Sequence, residues 1–301
     1  MPNVTKARTG VLIRKLFQIL LVQPDGLKAS AALAALADAI EMTEYEAGDY
    51  DSGGRRFEKI VRFATVDCVK AGWLLKEKGI WSVTEEGAQA YKAIPNPEQF
   101  YRKAVELYWK WKHAQPAEGA DGADDGHEDI SDVIEKSASI TLEKAEESAW
   151  GEIEAYLAAM NAYDFQKLVG NLLNAMGYYV GWIAPPGKDG GVDLIAFTDP
   201  LGTKVPRIKV QVKRNSNSSK IDVVGLRSFI AVLGDEDVGL YVALSGFTKD
   251  AEWEARQAQR RVTLIDATRL VELWTEHHAK LDDVARQRLP LRPVWFLAGE
   301  E

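Results

Sequence analysis

Helices closed by a small hairpin, then a helix, a β-meander and alternating helices and strands, predict an α+β / α/β chain with two folded parts. Three observations carry this expectation. Phe57, Ile60, Val61, Ala64 and Cys68 recur at helical spacing across residues 56–71. The stretch WLLKEKGIWSVTEEG that follows reads as two short strands about a turn, which with the preceding helices makes a winged helix-turn-helix. In the second half, Ile208, Val210 and Val212 alternate with Lys209, Gln211 and Lys213, the period of a strand with one apolar face.

Taken in order, residues 10–44 read as two or three helices and 56–71 as the recognition helix, ended by Gly72. Strands at 73–75 and 80–83 flank the wing turn, and Thr84 is placed to cap a helix running past Gly87. The domain is expected to span residues 1–113. AQPAEGADGADDGHEDISD, residues 114–132, is rich in Gly, Ala and acids, so 114–140 is expected to be a flexible acidic linker. An acidic strand that mimics DNA and covers a basic groove is the other reading of it.

Residues 141–301 form the second domain. Helices are expected at 141–159 and in YDFQKLVGNLLNAMGY, where Phe165, Leu168, Val169, Leu172, Leu173 and Met176 make the apolar stripe. Strands at 178–183, 192–197 and 207–213 follow. Helices at 221–233, 249–260 and 267–277 then alternate with strands at 239–245 and 262–265, giving a central mixed β-sheet flanked by helices.

The net charge of −8 argues against a nucleic-acid binder until it is divided along the chain. Residues 1–113 carry 17 Lys/Arg against 14 Asp/Glu, 114–160 carry 2 against 13, and 161–301 carry 18 against 18. The acidity is therefore confined to the middle. Residues 201–230 hold seven basic groups and one acid, a local field that attracts a polyanion. The one cysteine, Cys68, excludes a disulfide framework and a Cys-rich zinc site and suits a reducing, cytoplasmic setting. The apolar run at 16–22 is too short to span a bilayer, and no membrane association is expected.

Arg55, Arg56, Lys59, Arg62 and Lys70 lie on or beside the recognition helix, and Lys76 and Lys78 on the wing. Such clustered cations suit DNA phosphates, with a basic face on a protein-interaction domain as the alternative. Arg214, beside Lys213 in the basic stretch, joins the expected DNA-contacting set. Tyr108, Trp109 and Trp111, interleaved with Lys110 and Lys112, could stack on bases but read better as packing. His277 and His278 lack a third ligand at metal spacing, and Ser245 lacks the surroundings of a nucleophile turn.

The strand pair GGVDLIAF and KVQVKR carries the chemistry. A hairpin symmetric about Gly202 opposes residues 193 and 211, with Cβ atoms roughly 5 Å apart. Asp193, Gln211 and Lys213 would then share a face. One carboxylate, one amide oxygen and one ammonium suit phosphodiester hydrolysis, since Mg²⁺ takes oxygen ligands and few carboxylates. A D…QxK pattern also occurs on solvent-facing hairpins.

GKDGGVDLIAF, KVQVKR and LSGFTKDA, in that order, resemble the type IV, modification-dependent restriction endonucleases of the Mrr family. That family belongs to the PD-(D/E)xK superfamily, with glutamine in place of the usual second acid. YDFQKLVGNLLNAMGY and IDATRLVELW fit as well. FEKIVRFATVDCVKAGWLLKEKGIWSVTEEG is similar to the family's upstream winged-helix domain. The resemblance implies a restriction-endonuclease-like second domain, with Asp193 and Gln211 as ligands of Mg²⁺ (or Mn²⁺) and Lys213 as the catalytic lysine. It also implies double-stranded, methylated DNA as substrate. Cutting both strands favours a homodimer or higher homo-oligomer.

One departure stands out. The family's acid after the helix aromatic is here Gln166, following Phe165. Asp164 points elsewhere on the helix, because each step turns the side chain by about 100°. Asp189 is an accessory candidate, or simply a turn residue before two glycines. The missing acid supports a rival reading, a non-cutting DNA sensor or regulator that keeps the fold. A nuclease specific for DNA structure or for RNA is a second rival.

Overall fold

The computed structural model describes residues 4–50, 54–114, 130–185, 190–214 and 219–296. The chain divides into two compact units, the first reaching Gly151 and the second covering Glu152–Val294.

The first unit contains α1 (Lys6–Leu21), β1 (Leu27–Lys28), α2 (Ala29–Asp38), α3 (Glu44–Ala47), α4 (Arg56–Lys70), β2 (Leu74–Glu77), β3 (Ile80–Val83), α5 (Glu85–Ala93) and α6 (Pro97–Ala114). The strands form an antiparallel sheet in the order β1-β3-β2. Glu77 pairs with Ile80 across a two-residue turn in which Lys78 and Gly79 both have positive φ, the geometry that matches the twist of a tight hairpin. Thr84 caps α5 by accepting the Gly87 N–H at 3.0 Å. The core gathers Phe17, Phe57, Trp73, Trp81 and Phe100. Phe100 stacks on Trp73 with ring centroids 4.9 Å apart and meets Phe17 edge-on at 5.1 Å. This is the winged-helix arrangement, with α4 at the place expected of the recognition helix and β2–β3 at that of the wing. Cys68 on α4 is fully buried, and burial raises its thiol pKa far above the ordinary range.

A 30-residue helix, α7 (Ile130–Ala159), contributes to both units. Residues 130–140, expected as linker, are therefore helical; residues 115–129 lie outside the described part. Propensity does not explain the early start. Ile140 is buried, and the Lys136 ammonium pairs with Asp67 of α4 at 2.7 Å with both side chains almost fully covered. Tertiary packing thus supplies what the sequence pattern lacks.

The second unit contains α8 (Ala162–Ala175), β4 (Tyr179–Ile183), β5 (Leu194–Phe197), β6 (Arg207–Lys213), α9 (Val223–Ile230), β7 (Asp237–Ala243), α10 (Lys249–Gln257), β8 (Val262–Ile265), α11 (Ala267–Glu276) and α12 (Asp283–Arg288). Its sheet runs β4-β5-β6-β7-β8. The first three strands are antiparallel, and β6, β7 and β8 are parallel. The mixed sheet flanked by helices is as expected. α8 packs on the face bearing Leu194, where Gly170 leaves room for the Leu194 side chain. On the other face Leu226, Phe229 and Leu233 pack with Tyr241 and Ala243. Arg207 and Lys209 both bond Asp237, at 2.9 Å each, tying β6 to the start of β7. Among the described residues no helix is long and apolar enough to cross a membrane.

Candidate functional site

Leu194 pairs with Val210 and Ala196 with Ile208, so the β5–β6 hairpin has the register symmetric about Gly202. Gly202 has φ +65°, a conformation that disfavours any residue with a Cβ. Val210 and Val212 are buried beside Leu194 and Val242. Gln211, paired with Tyr241 of β7, and Lys213, paired with Ala243, therefore stand on the α9 face. Gln211 is half-buried and Lys213 exposed.

Asp193 sits where the β5 ladder ends. Its N–H still donates to Val210 at 2.7 Å and its carbonyl accepts from Ala184 at 2.8 Å. Its side chain does something the alternation did not foretell. Oδ2 accepts the Val212 N–H at 2.7 Å, and Oδ1 accepts from Gln166 Nε2 of α8 at 2.5 Å. The carboxylate thus takes over the ladder at its end, held on the residue between Gln211 and Lys213. It is 3% exposed, so its orientation is set by these bonds and not by solvent. Burial first and the Asp193 charge second push the Tyr241 hydroxyl up to about 12.

Gln166, an accessory candidate from the sequence, reaches Asp193 directly. Its Oε1 is buried and has no hydrogen-bond partner among the described residues, an acceptor that costs stability unless something answers it. Asp164 is turned away, paired with Arg288 at 3.1 Å. Asp189 lies outside the described residues. Among those described, no three His, Cys, Asp or Glu side chains gather as a metal site. A divalent cation here would rest on one carboxylate and amide oxygens, a hard-oxygen donor set that Mg²⁺ accepts. The orphaned Gln166 Oε1 beside Asp193 fits that group.

The expected DNA contacts divide. Arg55 and Lys59 are exposed. Lys59 and Arg56 lie over the Tyr50 and Tyr45 rings, at 4.7 and 4.8 Å. Lys70 covers Trp111 at 3.9 Å, and Tyr108 is buried, so the aromatic cluster packs the domain. Lys78 lies 5.9 Å from the Trp150 ring. Arg62 and Lys76 correct the expectation of open phosphate contacts. Arg62 is 4% exposed, bonded to Glu143 and, at 2.7 Å, to Glu147 of α7. Lys76 pairs with Glu143 at 2.6 Å; burial lowers its ammonium pKa while Glu143 opposes the shift. Arg214 donates to the Ala158 carbonyl at 2.5 Å, near the end of α7, so it too is engaged within the fold.

The restriction endonuclease family model of Mrr matches residues 157–274, and the Mrr N-terminal domain model matches residues 12–93. Among curated proteins none matches the chain. Two solved structures are similar. The MspJI restriction endonuclease, in complex with a 27-mer oligonucleotide, is 19% identical over 65% of this chain and 45% of its own, with a TM-score of 0.33. A repair endonuclease from Pyrococcus abyssi is 17% identical over 36% of this chain and 50% of its own, with a TM-score of 0.24. The chain thus spans half or less of the solved proteins it matches. With both domain models matched in order on the two folded units described above, the chain belongs to the Mrr family of restriction endonucleases.

Proposed function

We propose that this chain is a type IV restriction endonuclease of the cytoplasm that hydrolyses phosphodiester bonds in methylated double-stranded DNA. The observation that carries the reading is the buried Asp193 carboxylate, fixed by Val212 N–H and Gln166, next to the unanswered Gln166 Oε1. Asp193 and Gln211 would hold Mg²⁺, with Mn²⁺ as substitute and Gln166 as accessory donor. When bound, the cation supplies Lewis acidity toward the phosphate and lowers the pKa of water.

The chain's own residues do the rest. Val212 N–H and Gln166 Nε2 keep the Asp193 oxygens in one orientation before substrate arrives, so no reorganisation is needed at reaction. Lys213, exposed at the end of β6, stabilises negative charge that builds on the phosphoryl oxygens or orients the attacking water. Gly190 and Gly191, both with positive φ, let a nucleic-acid backbone approach without a Cβ in the way. Two such sites in a homodimer would cut both strands.

A non-cutting sensor is the second reading. It is favoured by one observation: an amide, not a carboxylate, faces Asp193 from α8. Digestion of matched plasmids, methylated and unmethylated, across a Mg²⁺ titration separates the two. Cleavage of the methylated plasmid that disappears in Asp193→Ala and in Lys213→Ala supports the nuclease. Cutting that survives both substitutions refutes the assigned site, and no cutting at any Mg²⁺ or Mn²⁺ concentration leaves the sensor.

A further inference from the structure

Two carboxylates one helical turn apart on α7 gather donors from four separate elements of the first unit. Glu143 takes the Arg62 guanidinium of α4, the Lys76 ammonium of β2 at 2.6 Å and the Trp81 indole N–H of β3 at 3.0 Å. Glu147 takes the other Arg62 nitrogen at 2.7 Å and the Ser30 N–H, in the first turn of α2, at 3.0 Å. Recognition helix, both wing strands and the start of a neighbouring helix are the parts of a winged helix that meet a DNA backbone. A helix N-terminus and an Arg fork are both anion receptors. The donors also outnumber what the carboxylates use: Arg62 Nε is buried with no partner among the described residues.

We infer that Arg62, Lys76, Trp81 Nε1 and the Ser30 N–H form a seat for two successive phosphates of one DNA strand, which Glu143 and Glu147 occupy until DNA displaces them. Side chains at i and i+4 have Cβ atoms about 5–6 Å apart, of the order of the step between neighbouring phosphates. Glu143 and Glu147 therefore stand in for two phosphodiesters, and α7 competes with DNA for the winged helix. The inference rests on the DNA-binding part of the proposed function and goes beyond it by naming the contacts and the competitor.

The test is binding of a short fluorescein-labelled duplex to the full-length chain in EDTA, read by anisotropy across a KCl series. Cleavage plays no part, so an inactive nuclease site leaves the test standing. The double variant E143Q/E147Q is compared with E146Q/E152Q, which removes the same charge from exposed positions of the same helix. The expected result is binding tighter by about tenfold in E143Q/E147Q, with a salt slope steeper by about two and little change in E146Q/E152Q. Equal tightening in both pairs overturns the seat, as does no tightening in either. Hydrogen exchange on the wild-type chain gives an answer independent of the variants. Saturating duplex should remove protection from the amides of residues 138–150, and unchanged protection there with duplex bound overturns the exchange.

Discussion

The buried charges around Arg62 in the first unit and at Asp193 in the second are met by different kinds of partner. In the first, the Arg62 and Lys76 cations meet the Glu143 and Glu147 anions, charge for charge. In the second, each oxygen of Asp193 accepts from a neutral donor, and the amide that supplies one of those donors leaves its own oxygen unanswered. The first arrangement has a surplus donor and the second a surplus acceptor. A surplus acceptor in a buried site invites a cation, and a surplus donor beside paired cations invites an anion. The sign of what is left over therefore says more about the missing partner than the count of charged residues does.

The largest effect expected from breaking this contrast is at Asp193. Asp193→Asn keeps an acceptor for Val212 N–H but removes the charge, and cleavage should fall by about 1000-fold or more, with the thermal midpoint little changed. Plasmid nicking beside calorimetry checks both halves. At Arg62 the pattern should reverse. Arg62→Leu takes a charged donor from each of two carboxylates, leaving Glu143 with Lys76 and Trp81 and Glu147 with the Ser30 N–H, and should cost roughly 3–5 kcal/mol in the first unit, measured by urea unfolding, while cation binding at the second unit stays as it was.

Asp237 sharpens the contrast in another way, because it is a buried acid that two cations, Arg207 and Lys209, meet beside the neutral Gly234 N–H. Burial works against its ionisation, but bonds from Arg207 and Lys209 outweigh that and hold its carboxyl well below the usual range. The stability it lends is complete above the ordinary carboxylate value, about 4, and is lost as pH falls toward its depressed folded value. Asp237→Asn should cost about 2–3 kcal/mol at neutral pH, with the gap to wild type closing below about pH 4. Acid unfolding of the two chains measures it. The smallest effect is expected at Gln166. Gln166→Leu loses one bond to Asp193 and removes a buried orphan acceptor, so stability should shift by less than about 1.5 kcal/mol. The Mg²⁺ concentration for half-maximal binding, read by calorimetry, should rise severalfold.

The parts legible in the sequence were those set by local period and turn chemistry. Gly202 and the alternation of Ile208, Val210 and Val212 specify the hairpin register, because a one-residue slip would put the valines on the wrong face. Thr84 and Gly72 mark helix ends for equally local reasons. What stayed hidden depends on distant partners. Arg62 reads as a surface cation because the acids that meet it lie 81 and 85 residues on. The early start of α7 depends on Asp67 receiving Lys136. The Asp193 side chain follows the sheet's broken edge and not strand alternation, and alternation is all a pattern can show.

Cys68 has a practical consequence. It is the chain's one thiol, wholly covered, with its thiolate strongly disfavoured. A second cysteine introduced at an exposed position would react with maleimide while the native one stays silent. One such cysteine on the wing and one on α7 would then carry a pair of dyes or spin labels that reports their separation in an otherwise unaltered protein.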